Sequence, residues 1–234
     1  MDFIHKQLKD ILSIINESEI EYWASGGTLL GAIRHNDIIP WDDDADIEMI
    51  DNVENHENLL YLEPYLNNQG FGLCKVYFGY KIYPLNGIII KKNNWREHKR
   101  IFKENNPHVK GRSDICIGAS KTYNKKNNKL NEEYKYPYLD IFLVNIGDSN
   151  NKFDGQVVGQ VVKCIDKRWE NFFHYSNDLF PLQKAKLGNI KVNIPVNPYP
   201  YLGRGYGKNY MKIGKIYYDH KHEKIIPLKT FLIS

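Results

Sequence analysis

Apolar residues fall into two rhythms along this chain, and the changes of rhythm mark its elements. Over residues 2–16, Phe3, Ile4, Leu8, Ile11, Leu12 and Ile15 recur at helical spacing, which predicts an amphipathic helix able to cover one face of a sheet. Residues 20–24, Ile-Glu-Tyr-Trp-Ala, read as a strand that delivers the turn Ser25-Gly26-Gly27, and residues 28–35 as a short helix. Residues 44–50 alternate acidic and apolar side chains, the period of a half-buried strand. A helix over 54–66 stops at Asn67-Asn68-Gln69-Gly70. Three β-rich runs follow at 71–78, 81–85 and 87–91, separated by glycine and Asn-Gly turns, and predict an antiparallel meander extending the sheet.

The second half begins with a polar insertion around 92–131, containing the low-complexity run Lys125-Lys126-Asn127-Asn128-Lys129. Residues 136–144 then form an apolar strand with one acid inside it, Asp140. Val158, Val161, Val162, Ile165 and Trp169 share one side of a helix expected over 157–173. Residues 184–195 carry a Gly-Asn turn between Leu187 and Ile190 and predict a hairpin. The glycine-rich stretch 203–208 lacks the strand-to-helix setting of a dinucleotide fingerprint, so it is not read as a nucleotide loop. Residues 213–234 carry no interpretable signal, and no internal repeat is present.

At 234 residues, with 42% hydrophobic and 26% charged residues, the chain fits one α/β (α+β) domain, a mixed sheet flanked by helices. The net charge of +4 is mild and spread over several loops, which disfavours nucleic-acid binding and suits anionic substrates. Cys74, Cys116 and Cys164 lie too far apart for a CxxC motif and read as reduced core thiols. No apolar run approaches the roughly 18 residues of a membrane span, and Met1-Asp2-Phe3-Ile4-His5-Lys6 has no signal-peptide core; the expected location is cytoplasmic.

Chemistry concentrates between Ser25 and Ile47. Asp44 and Asp46, two apart on a strand, point to one face, where their charges repel unless a cation lies between them; such hard oxygen donors suit Mg2+ or Mn2+. Gly26-Gly27 before a helix frees amides for an anion at the positive helix end. A solvated acidic turn and an ordinary strand-to-helix turn are the plain alternatives, and the two features together outweigh them. Asp140, flanked by Leu139, Ile141 and Phe142, requires a cation or hydrogen-bond donors if buried. Arg34 reaches either a donor phosphate or one of the acids, His35 orders the loop, and Trp41 anchors it.

The run Gly26-Gly27-Thr28-Leu29-Leu30-Gly31-Ala32-Ile33-Arg34-His35, followed by Ile39-Pro40-Trp41-Asp42-Asp43-Asp44-Ala45-Asp46, resembles the signature of the LicD family. Asp140-Ile141-Phe142 resembles a further motif of that family. One departure is Asp37, where the family usually has glycine. The resemblance implies a nucleotidyltransferase-type fold, one catalytic domain over 1–234, and transfer of a phosphorylated alcohol (phosphocholine, ribitol phosphate or glycerol phosphate) from a CDP-activated donor to a glycan acceptor. On that reading Asp44, Asp46 and Asp140 are the catalytic and metal-binding residues, and Gly26, Gly27, Thr28, Arg34 and Asp42 bind substrate. Two alternatives stay open: a nucleotidyltransferase moving NMP from an NTP to a sugar or small molecule, and an inactive glycan- or nucleotide-binding module.

Overall fold

A computed structural model of the protein describes residues 1–76, 78–90, 134–147, 152–153, 156–157, 160–165, 169 and 171–233. The expected insertion at 92–131 and Cys116 lie outside the described residues. Strand β1 (Tyr22–Ala24) pairs antiparallel with β2 (Ala45–Ile50). β2 in turn runs parallel to β7 (Leu139–Gly147), so Asp46 stands directly opposite Asp140. β3 (Phe71–Val76) and β4 (Gly79–Pro84) form a hairpin, and β4 joins the first half of β7 antiparallel, placing Lys81 opposite Asp140. The second half of that edge is taken by β10 (Val161–Cys164), followed by β11 (Phe173–Tyr175). The result is a seven-stranded mixed sheet. With neighbours on both edges, β7 buries Leu139, Ile141, Leu143 and Val144 almost completely.

Helices cover this sheet as the apolar periodicity predicts. α1 (Asp2–Asn16) buries Leu8, Ile11, Leu12 and Ile15. α2 (Gly26–Arg34) begins at the first glycine of the turn, two residues earlier than expected, and packs on β2. α3 (Val53–Asn68) is capped by Asn52, whose side chain accepts from the Asn55 amide at 2.8 Å, and lies against β3. One main core joins α1, α2 and α3 to the sheet and extends to the hairpin of β12 (Gln183–Leu187) and β13 (Ile190–Ile194), which falls where the Gly-Asn turn places it.

Two expectations need correction. The third β-run does not extend the sheet: β5 (Ile88–Ile89) pairs instead with β6 (Lys135–Tyr136). The helix expected over 157–173 is absent from the described part of that span: Val157 ends β9 (Gln156–Val157), which pairs with β8 (Lys152–Phe153), and β10 and β11 lie in the main sheet. Val161 and Val162 are β-branched, which favours extended backbone, and Val162 is fully buried against β7. Apolar residues at 161, 162 and 165 thus fit a strand as well as a helix.

Past α4 (Ser176–Leu179), α5 (Tyr199–Tyr206) takes in the first part of the glycine-rich stretch and ends at Gly207. A Cβ on Gly205 would come within 2.3 Å of the Phe172 ring, so that glycine serves helix packing. The uninterpreted C-terminus is a hairpin of β14 (Ile213–Asp219) and β15 (Lys224–Leu232), with Phe231 against Trp41. No described helix is long and apolar enough to cross a membrane.

Candidate active site

The site is built where three adjacent strands present polar residues in one row. β2 supplies Asp46, β7 supplies Asp140 and β4 supplies Lys81, all at paired register positions. Asp42, Asp43 and Asp44 precede β2 in a loop opened by a turn in which the Asp42 amide donates to the Ile39 carbonyl at 2.9 Å. Asp44, Asp46 and Asp140 each offer an oxygen within 4.8 Å of the others, a cluster able to hold a metal ion. Asp44 and Asp140 are each only 8% exposed. Burial raises the pKa of Asp44 and of Asp46 well above the ordinary carboxylate value, and the neighbouring carboxylates add to it. Burial, with Asp46 and Asp43 adding, also pushes Asp42 up to about 6. Burial raises Asp140 too, against the opposing pull of Lys81. Such a donor set fits a hard divalent cation, which would relieve the repulsion.

The glycine turn serves this cluster directly. Gly27 donates its amide to Asp46 Oδ2 at 3.0 Å, and Gly26 donates to the Tyr201 hydroxyl at 3.2 Å. Thr28 Oγ1 accepts from the Asp46 amide at 2.7 Å, which ties α2 to β2. The anion that faces the helix N-terminus here is therefore Asp46 itself. Gly26 has φ of +49°, and a Cβ there would lie 2.3 Å from Asp46 Oδ2; one on Gly27 would lie 2.5 Å from Asp42 Oδ2. Both positions require glycine because carboxylates pack against the backbone.

Among the described residues, Arg34 pairs with none of the acids. Its guanidinium donates to the Tyr210 carbonyl at 2.5 Å and to His35 Nε2 at 2.9 Å, so it orders the C-terminal segment while lining the cavity. His35 and Trp41 meet edge to face at 5.5 Å.

Four contributors escaped the sequence reading. Lys81, with its side chain 4% exposed, donates to Asp140 Oδ1 at 2.5 Å; a lone cation in an apolar strand was the available signal. His220, in the turn after β14, touches Asp43 through Nδ1 at 2.6 Å and Asp44 through Nε2 at 3.0 Å. Burial lowers the His220 pKa, but Asp44, Asp43 and Asp42 outweigh it and push the value up to about 10. Glu223 accepts from the Tyr138 hydroxyl at 2.6 Å and holds the same turn in place. Glu48, next on the Asp46 face of β2, accepts from Trp23 Nε1 at 2.6 Å and from the Tyr201 hydroxyl at 3.3 Å. It braces the tyrosine that receives the Gly26 amide. His220 and Glu223 had no local signal, since only the hairpin brings them to the acids.

These groups open on a cavity of about 640 Å3. Along its lining, Phe78, Phe142, Trp169 and Phe172 form a run of ring contacts at 4.7, 5.2 and 5.6 Å, continued by Tyr201 and Tyr206. Lys208 and Lys215 also line it.

Residues 19–110 match the LicD/FKTN/FKRP nucleotidyltransferase domain. An uncharacterised protein of Rickettsia typhi is 28% identical over 217 residues, covering 93% of this chain and 49% of its own length. The human ribitol 5-phosphate transferase FKRP is 31% identical over 110 residues, covering 38% of this chain and 22% of that protein. The lipopolysaccharide cholinephosphotransferase LicD of Haemophilus influenzae is 43% identical over 49 residues, covering 21% of this chain and 16% of that protein. The chain spans about half the length of the Rickettsia typhi relative. Over the segment that carries the glycine turn and the Asp42–Asp46 acids, this chain is similar to the LicD/FKTN/FKRP nucleotidyltransferase domain.

Proposed function

We propose that this chain is a metal-dependent transferase that moves a phosphorylated alcohol from a CDP-activated donor to a glycan hydroxyl. The observation that carries the proposal is the convergence of Asp44, Asp46 and Asp140 within 4.8 Å at the wall of the cavity. Support comes also from the relatives, one a ribitol 5-phosphate transferase and one a cholinephosphotransferase by name.

A bound Mg2+ or Mn2+ would neutralise the diphosphate oxygens and withdraw charge from the phosphorus. Asp44, Asp46 and Asp140 would be its ligands. The chain's own residues do the remaining work by positioning. Gly27 and Thr28 fix Asp46, and Gly26 fixes Tyr201. Arg34, Lys208 and Lys215 line the cavity with positive charge suited to phosphates. The aromatic wall offers flat faces to a base or a sugar ring. Asp42 borders the same cavity and limits how closely an anion approaches Gly27. The acceptor hydroxyl gives its proton to a carboxylate of the acid cluster as its oxygen bonds to the alcohol-bearing phosphorus. The bond from that phosphorus to the bridging oxygen of the diphosphate breaks, and CMP departs.

The test is to incubate the protein and a glycan acceptor with Mg2+ and CDP-choline, CDP-ribitol, CDP-glycerol or CTP, and to identify the leaving group. CMP from one CDP-alcohol is the expected product. Pyrophosphate from CTP, with no CMP from any CDP-alcohol, would replace this reading with nucleotidyl transfer.

A further inference from the structure

Lys81 is assigned no part in the chemistry above. It faces Asp140 across the β4–β7 ladder and donates to Oδ1 at 2.5 Å. On its other sides the ammonium lies 3.4 Å from the centre of the Tyr138 ring and 4.6 Å from that of Tyr134. With a side chain 4% exposed and rings closing around it, this ammonium is committed to Asp140 and is not free to follow a substrate. Asp140 meanwhile has a second oxygen, and its neighbours Asp44 and Asp46 lie within ligand distance.

From this geometry we propose that Lys81 is a positioning residue of the metal centre: it holds one oxygen of Asp140 so that the other is presented to the point shared with Asp44 and Asp46. The inference rests on the reading of those three acids as the metal ligands. A donor locked onto the outer oxygen of a ligating carboxylate fixes the carboxylate's plane, and loss of such a partner costs about 10- to 100-fold in metal affinity. Charge alone predicts the opposite sign. An ammonium beside a cation site repels the incoming ion, so removing it without any positioning effect would tighten binding.

The experiment is titration of the whole chain with Mn2+, followed by the electron paramagnetic resonance of the free ion, on wild type, Asp46→Asn, Lys81→Met and Lys81→Gln. Circular dichroism supplies the folded fraction of each. Wild type should bind, Asp46→Asn should not, and Lys81→Met should bind at least about tenfold more weakly per folded molecule. Lys81→Gln, which keeps an N–H donor and loses the charge, should lie between Lys81→Met and wild type. If Lys81→Met fails to fold, Lys81→Gln decides: weaker binding supports the proposal and unchanged binding overturns it. Affinity equal to or tighter than wild type in the folded Lys81 variants overturns the positioning role and leaves the three-acid reading standing. Failure of wild type to bind Mn2+, or undiminished binding by Asp46→Asn, overturns that reading and the proposal with it.

Discussion

The Gly27 amide donates to Asp46 Oδ2 at 3.0 Å, so the positive end of α2 is turned on a carboxylate of the acid cluster. That contact joins the two halves of the glycine-to-aspartate signature into one device. The helix end offsets part of the charge that β2 and β7 bring together, and the glycines leave room for it.

Gly26→Ala should disrupt this device from the backbone side. The substitution puts a Cβ against Asp46 at a residue with φ of +49°, and strain of this kind costs about 1–3 kcal/mol. A lower melting temperature with weakened Mg2+ protection is expected. A variant that melts and responds to Mg2+ as wild type would show that the close approach is unimportant.

Stability should depend on pH in a direction set by the acids. Burial and mutual repulsion raise the folded-state pKa values of Asp42, Asp44 and Asp46, so the folded chain holds protons that the unfolded chain has released. Without metal, stability therefore falls as pH rises from about 4 through the raised values. His220, raised to about 10, contributes stability that is complete below about 6.5 and lost as pH rises through about 10. Both act in the same direction. Melting temperature in EDTA should decline from pH 5 to pH 9, and the increment from added Mg2+ should grow over the same range. An increment independent of pH would separate the cation from these carboxylates.

His220→Gln should loosen the C-terminal hairpin. His220 joins the β14–β15 turn to Asp43 and Asp44, so its loss should raise hydrogen exchange over residues 213–232 more than in the main sheet. Because two partly buried contacts disappear, a loss of about 1–3 kcal/mol is expected in EDTA. Uniform exchange across the molecule would show that the hairpin is not held by this residue.

How far the sequence discloses this arrangement depends on the range of the interaction. The alternation of Asp44-Ala45-Asp46-Ile47 and the single acid in Leu139-Asp140-Ile141 are local, and both strands and their shared face follow from them. Gly26-Gly27 reads as an anion cradle, and the Gly27 amide does meet a carboxylate, but it is that of Asp46, a partner only the strand-to-helix packing reveals, while the Gly26 amide goes to Tyr201. Lys81 was visible as a cation among apolar neighbours, yet its partner depends on the β4–β7 register. His220 and Glu223 sit in a turn of polar residues with nothing local to distinguish them. At 161–165 the apolar spacing satisfied two periods at once, and long-range pairing with β7 chose the strand.

The central claim is that Asp44, Asp46 and Asp140 form the centre of phosphoalcohol transfer. Its most direct measurement is the rate of CMP release from a productive CDP-alcohol with Mg2+ by wild type, Asp44→Asn, Asp46→Asn and Asp140→Asn, each verified as folded by circular dichroism. The account predicts turnover by wild type that EDTA abolishes, and a loss of orders of magnitude in all three variants, with Asp46→Asn at least as stable as wild type in EDTA because one of the repelling charges is gone. Folded variants that release CMP at the wild-type rate, or a wild type indifferent to EDTA, would contradict it.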